Sequence, residues 1–256
     1  MKRVRVIPVL LIKGRGFYKT IQFKKPNYLG DPLNAVKIFN DKYVDEIIIL
    51  DIIASKEKKE PDYELIGDIA SECFMPMTYG GGIKTFSEAK KIFSLGIEKI
   101  IINSQFHDTP GLITEIVDKY GSQSTVISID YRKNVKGKAF VYTHSGKVNT
   151  GYDPVTYAQR ATAAGAGELM INSIDRDGMR LGYDTDILKQ VASAVNVPLI
   201  ACGGAGCMED LYKGITLGNS SAVAAGSLFV YIGQSTDSIL IHYPSEDDLN
   251  NLYGRL

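Results

Sequence analysis

The sequence of 256 residues predicts an α/β fold closed into a single (β/α)8 barrel, and three observations carry that expectation. Eight short apolar runs rich in β-branched residues alternate with amphipathic stretches, which is the pattern of parallel strands joined by right-handed crossover helices. An ungapped self-comparison at an offset of 122 residues superimposes Asp31-Pro32 on Asp153-Pro154, Glu46 on Glu168, Pro76 on Pro198, Gly81-Gly82 on Gly203-Gly204 and Gly96 on Gly218. Each half, about 1–122 and 123–256, then supplies four βα units. Two independent four-stranded sheets would leave edges that one closed barrel removes.

In chain order the expected strands are Val4–Ile12, Glu46–Ile52, Met75–Tyr79, Lys99–Asn103, Thr125–Asp130, Glu168–Ser173, Val197–Cys202 and Ala222–Gly226. The expected helices between them are Pro32–Asp41, Tyr63–Cys73, Phe86–Ser94, Leu112–Tyr120, Pro154–Ala164, Thr185–Ala194 and Glu209–Leu217. The first apolar run is about nine residues long, is interrupted by Arg5 and precedes no small-residue cleavage site, so it reads as a strand and not as a leader. Nothing in the chain approaches the length of a membrane span.

Lys plus Arg and Asp plus Glu both number 29, so bulk electrostatics argue against nucleic-acid or anionic-membrane partners, although a local basic patch stays open. A hydrophobic content of 45% with 23% charged residues is ordinary for a globular chain. Cys73, Cys202 and Cys207 are odd in number and lack paired metal spacing, which points to a reducing, cytoplasmic setting. Cys202 reads as a small strand-end core residue. His107, His144 and His242 are scattered over expected loops with no metal motif, so neither metal nor cofactor is expected.

Function in such barrels gathers at the C-terminal ends of the strands. Tyr79-Gly80-Gly81-Gly82-Ile83 and Cys202-Gly203-Gly204-Ala205-Gly206 each follow a strand and can offer bare backbone N–H groups to an anion. The alternative is a tight βα turn with no ligand. One strand later each pair is followed by small residues, Asn103-Ser104 and Gly226-Ser227, so two phosphate sites on opposite sides of the mouth would suit a ligand phosphorylated at both ends. Asp51, Asn103, Asp130, Asn172, Ser173, Asp175 and Asp177 also converge on strand ends. Asp130, closing the run Ile127-Ser128-Ile129, is the candidate acid or base at a desolvated rim, whereas Asp51 and Asp177 can equally be loop or helix caps.

The opposite face carries Arg5, Glu46, Lys99 and Glu168, each at or near a strand start. Alternation puts Arg5, Ile7, Val9 and Leu11 on one side of the first strand, and Lys99, Ile101 and Asn103 on one side of the fourth. If those sides face inward, the four charges form a ring at the barrel floor. It is either a neutral plug or the gate of a passage to the mouth.

Taken with Ile52-Ile53-Ala54-Ser55, Gly121-Ser122-Gln123, Ser173-Ile174-Asp175-Arg176-Asp177-Gly178 and Ala201-Cys202-Gly203-Gly204-Ala205-Gly206, the double glycine repeat resembles the cyclase subunit of imidazole glycerol phosphate synthase. The similarity runs from about Arg3 to Phe229. It implies a TIM barrel on whose floor a glutaminase docks, with ammonia passing through the charged ring to a doubly phosphorylated substrate. All four gate positions match, as Arg5, Glu46, Lys99 and Glu168. The phosphate-binding set implied by the resemblance and the strand ends is Lys19, Asp51, Gly82, Asn103, Ser104, Asn172, Asp177, Gly178, Gly204, Gly226 and Ser227.

The departure lies at the end of the first strand. The family has a Cys-Leu-Asp-Val-Lys type segment, and this chain reads Val9-Leu10-Leu11-Ile12-Lys13. One of two catalytic aspartates is thus Leu11, while its partner survives as Asp130. The loop Gly16–Tyr28 is rich in aromatic and basic residues, and Met179 stands where threonine is usual. These features are similar to a side branch of second copies associated with surface-polysaccharide gene clusters. The resemblance there implies passing ammonia to a sugar amidotransferase that converts acetamido to acetamidino groups. The alternatives are a full synthase in which Asp51 or Asp177 compensates for Leu11, and a sugar-phosphate isomerase barrel acting alone.

Overall fold

In the computed structural model, which describes residues 4–232 and 238–256, eight parallel strands close into a barrel ringed by helices. β1 (Arg5–Lys13) runs into a hairpin of β2 (Gly16–Ile21) and β3 (Lys24–Gly30), and α1 (Pro32–Asp41) returns the chain to β4 (Ile47–Asp51). The first half continues through α2 (Ala54–Glu57), α3 (Tyr63–Glu72), β5 (Met77–Gly80), α4 (Phe86–Ser94), β6 (Lys99–Ile102), α5 (Ser104–Asp108) and α6 (Gly111–Tyr120). The second half follows the same plan with β7 (Thr125–Lys133), a hairpin of β8 (Ala139–Thr143) and β9 (Val148–Asn149), α7 (Pro154–Ala163) and β10 (Glu168–Ser173). It ends with α8 (Thr185–Ala192), β11 (Leu199–Cys202), α9 (Met208–Thr216), β12 (Ala222–Ala225) and α10 (Glu246–Gly254). The ring closes where β12 pairs with β1, from Arg5 opposite Ala222 to Pro8 opposite Ala225.

The eight expected strands are the eight staves, and the expected helices form, Pro32–Asp41 and Phe86–Ser94 with the expected ends and the others within two residues of theirs. Successive stave residues alternate between two cores. Ile7, Val9, Ile48, Ile101, Val126 and Met170 belong to the cluster inside the barrel, and Val6, Leu10, Ile47 and Ile49 to the larger one beneath the helices. With both faces buried, the staves read as continuous apolar runs.

The repeat extends to the helix starts. Asp31 and Asp153 each accept a hydrogen bond from the third backbone N–H beyond them, at 3.0 Å from Asn34 N and 3.0 Å from Thr156 N, with Pro32 and Pro154 opening the helix.

Two features depart from the sequence reading. Gly16–Tyr28, expected as a loop, belongs mostly to the β2–β3 hairpin, and β8–β9 is its counterpart in the second half. Both turn on a pair of non-glycine residues with positive φ: Gln22 (51°) and Phe23 (63°), His144 (53°) and Ser145 (57°). Such turns match the twist of the flanking strands, and here they lack the Asn-Gly or Gly-Gly signature that marks them in sequence. Second, His107 lies in α5 and not in a loop. No helix among the described residues is long and apolar enough to cross a membrane.

Asp153→Ala should destabilise the protein by about 1 kcal/mol through loss of the α7 cap. The measurement is a lower urea midpoint at an unchanged m-value, and an unmoved midpoint would deny the cap its structural role.

Candidate functional site

A cavity of about 450 Å³ opens at the C-terminal ends of the staves. Its floor is the upper part of the interior core: Val9, Leu11, Leu50, Ile101, Met170 and Cys202. Inward-facing residues next up the staves supply Asn103, Asp130 and Asn172, the end of β4 supplies Asp51, the start of α5 supplies Ser104, and the connecting loops supply Gly82, Asp177 and Gly178. Lys19 from the hairpin, with Gly204, Gly226 and Ser227, completes the set read from sequence, so every one of those residues lines a single mouth.

Asp130 is 8% exposed and held by three donors. Asn172 Nδ2 donates to Oδ1 at 3.0 Å, Ser128 Oγ to Oδ1 at 3.2 Å and Asn103 Nδ2 to Oδ2 at 3.1 Å. Burial outweighs the Asn172 and Ser128 bonds and, with the charge of Asp177 adding to it, pushes the carboxyl up to about 6. Leu11 takes the last inward position of β1, beside Leu50 in register, and offers no proton there.

The other carboxylates at the mouth are engaged. Asp51 Oδ1 accepts from the N–H groups of Ile53 at 2.8 Å and Ala54 at 2.9 Å, so its cap role is real, and burial raises its pKa against those bonds. Asp177 pairs with Lys19 Nζ at 2.8 Å and accepts from Thr20 Oγ1 at 3.2 Å, tying the first hairpin to the rim.

Two polar residues expected at the mouth are not among those lining it. Ser173 follows the inward Asn172 and so points away from the axis, in a fully buried position. Asp175 Oδ2 accepts from Lys133 N at 2.9 Å, bracing the stem of the second hairpin.

The glycine turns have steric reasons. A Cβ on Gly204 (φ +123°) would stand 2.2 Å from Gly182 O, and one on Gly82 (φ +75°) would stand 2.8 Å from the Ala54 methyl. Both turns therefore admit no side chain, and the Gly82 N–H donates to Ser55 Oγ at 3.4 Å.

At the floor, Arg5 donates to both Glu46 and Glu168, and Lys99 Nζ lies 3.3 Å from Glu46 Oε1 and 2.9 Å from Glu168 Oε2. Thr78 Oγ1 adds a bond to Glu46 at 2.8 Å. The carboxylates are buried, while the Arg5 and Lys99 side chains keep 28% and 22% exposure toward the floor. Burial opposes the Arg5 charge, yet its bonds and proximity to Glu168 and Glu46 hold the guanidinium above its ordinary pKa.

Several site residues escaped the sequence reading. Phe23 and His144, at the two hairpin tips, reach the cavity, and the imidazole Nε2 sits 3.2 Å from Asp108 Oδ2 while its backbone N–H donates to Ser104 Oγ at 2.9 Å. Lys56, Lys58 and Lys84 line the same wall. Cys202 packs on the interior core and also lines the cavity, its thiol pushed up to about 12 by burial, so it is no thiolate nucleophile. Near the floor, Tyr43 and Phe74 are 90% and 86% exposed on two turns joined by Asn40, whose side chain accepts from Phe74 N at 3.0 Å. Among the described residues no group of three His, Cys, Asp or Glu is arranged to hold a metal ion.

A model of the family described as histidine biosynthesis protein matches residues 5–236. The chain is 52% identical over 252 residues to a Pseudomonas aeruginosa protein provisionally named imidazole glycerol phosphate synthase subunit hisF2, covering 98% of this chain and 99% of that one. A Leptospira interrogans protein with the provisional name subunit HisF is 45% identical over 254 residues, 99% of this chain and 100% of that one. The imidazole glycerol phosphate synthase subunit HisF of Chlorobium phaeobacteroides is 40% identical over 225 residues, 88% and 89% of the two chains.

The Asp130 carboxyl should titrate near 6 in the native protein, read by carbon-13 NMR of labelled carboxyl groups, and a midpoint near 4 would contradict the desolvated setting. Its folded pKa exceeds the ordinary 3.8, so the folded state binds the proton more tightly and wild-type stability should fall, relative to Asp130→Asn, as pH rises from about 4 through about 6. Urea denaturation across that range gives the comparison.

Proposed function

The chain belongs to the histidine biosynthesis protein family, and on that footing we propose that it is the barrel subunit of a two-component glutamine amidotransferase. In this reading a glutaminase docks on the floor, and its ammonia travels the barrel axis to the mouth for transfer to a sugar amidotransferase. The product is an acetamidino sugar destined for a surface polysaccharide.

One observation carries the reading: the four-charge floor is complete while the mouth holds a single buried acid–base carboxylate, Asp130, with Leu11 at the top of β1. Losing one of two proton-transfer groups removes a contribution usually worth about 10²- to 10⁴-fold in rate. Asp51 and Asp177 are poor substitutes, since one is held by backbone N–H groups and the other by Lys19. A sugar-phosphate isomerase acting alone would have no use for the ring.

The interior suits a small neutral nucleophile. Above the ring the axis is lined by Ile7, Ile48, Ile101, Ala222 and Ala224, and ammonium entering such an apolar throat would have to shed its proton. Arg5 and Lys99, the two half-buried members of the ring, hold their cationic groups at the entrance and engage both ring carboxylates, so neither carboxylate is left to hold ammonium there. Tyr43 and Phe74 give the floor two exposed aromatic anchors of the kind that carry interface energy.

The second reading, a working cyclase in histidine biosynthesis, is favoured by the two glycine turns at the mouth and by the raised pKa of Asp130, which suits general acid–base work near neutral pH. Purified protein supplied with ammonium salt and the bisphosphorylated aminoimidazole ribonucleotide precursor separates the two. We expect wild-type turnover about 10²-fold or more below that of Leu11→Asp. Robust wild-type turnover would sink the conduit reading.

In complex with a glutaminase-like partner, Lys99→Ala should leave binding intact and lower glutamine-dependent transfer at least about tenfold, while transfer from added ammonium salt stays near wild type. Equal loss with both nitrogen sources would place the defect elsewhere than the entrance.

A further inference from the structure

The internal repeat provides its own control for the charge of the mouth. Gly82 and Gly204 are equivalent turns of the two halves, both with positive φ and both lining the cavity. Their surroundings differ. Lys56, Lys58 and Lys84 stand along the Gly82 wall, and the residues 122 positions later are Gly178, Arg180 and Gly206. The Arg180 guanidinium lies 5.3 Å over the Tyr231 ring at a separate recess, and its Nη2 donates to Ser227 O at 3.4 Å. The remaining cation at the mouth, Lys19, is neutralised by Asp177.

Carboxylates near the lysines do not cancel them. Glu57 pairs with Lys59, Asp108 lies beside His144, and Asp51 accepts from the N–H groups of Ile53 and Ala54 and forms no ion pair among the described residues. Lys84 Nζ rests on Lys59 O at 3.2 Å, and Lys56 and Lys58 make no ion pair among the described residues. One phosphoryl group carries about −1.5 to −2 at neutral pH, which a glycine turn and a single ammonium would satisfy. Three lysines lining one wall fit a larger anion.

We propose that the Gly82 wall binds a diphosphate, so that the ligand of this mouth is a diphosphate ester with its less charged end toward Gly204. This rests on the reading of the mouth as a phosphate-binding site and is independent of the ammonia path.

Isothermal titration of the full chain with inorganic pyrophosphate and with orthophosphate, at matched ionic strength, is the test. Pyrophosphate should bind at least about tenfold tighter, and Lys56→Gly with Lys84→Gly, which installs the residues of the other half, should reduce the preference to about twofold or less. Lys56→Gln with Lys84→Gln should do the same without added backbone freedom, and Arg180→Ala should leave the preference unchanged. Equal affinities in the wild type, a preference that survives both double variants, or no binding of either anion would overturn the proposal. Glutamine-dependent transfer measured on the same preparations reports the conduit reading separately.

Discussion

Closing eight parallel staves on themselves leaves every second side chain no destination but the axis, and the rest of the molecule follows from that constraint. The ends of the axis are where polar residues can face inward at tolerable cost, because water or a partner reaches them. Arg5, Glu46, Lys99 and Glu168 take one end, where each buried carboxylate meets two cations. Asn103, Asp130 and Asn172 take the other, where the two side-chain amides donate hydrogen bonds to one carboxylate. Between them, among the described residues, Ile7, Ile48, Ile101, Val126 and Met170 pack into an apolar interior core that separates the two polar ends.

The legible parts of this design are those written as interruptions of a pattern. A charge at the start of an apolar run stands out, and alternation then tells which side of the strand it shares, which is why the floor ring could be read before its geometry was known. Leu11 stood out for the opposite reason, as an apolar residue at a strand end where the family places a carboxylate. The hairpins were hidden because Gln22-Phe23 and His144-Ser145 adopt left-handed backbone without the residues that advertise it. The lysine wall was hidden because its members come from two different βα loops, and only the path of the chain brings Lys84 beside Lys56 and Lys58. Asp175 was misplaced by proximity in sequence to Asp177. A tight turn sends these neighbours to different partners, one to the stem of the second hairpin and one to Lys19.

The mouth also shows how duplication and divergence separate backbone from chemistry. The turns at Gly82 and Gly204, the capped helices at Asp31 and Asp153 and the paired hairpin tips keep the two halves alike wherever φ angles and close approach decide the residue. Side chains projecting into open space are free of that restraint. The halves differ there, with Lys56 and Lys84 around one turn and Gly178 and Gly206 around the other. Asymmetry has accumulated at positions around the cavity, not at those that hold the barrel.

The contrast between two cysteines has a practical consequence. Cys202 is sequestered at the base of the cavity as a protonated thiol, whereas Cys207 is exposed five residues on, at the start of α9. An alkylating fluorophore would discriminate between them without mutagenesis, and the dye would sit beside the Gly204 turn. The native chain thus carries a built-in labelling position three residues beyond the Gly204 turn.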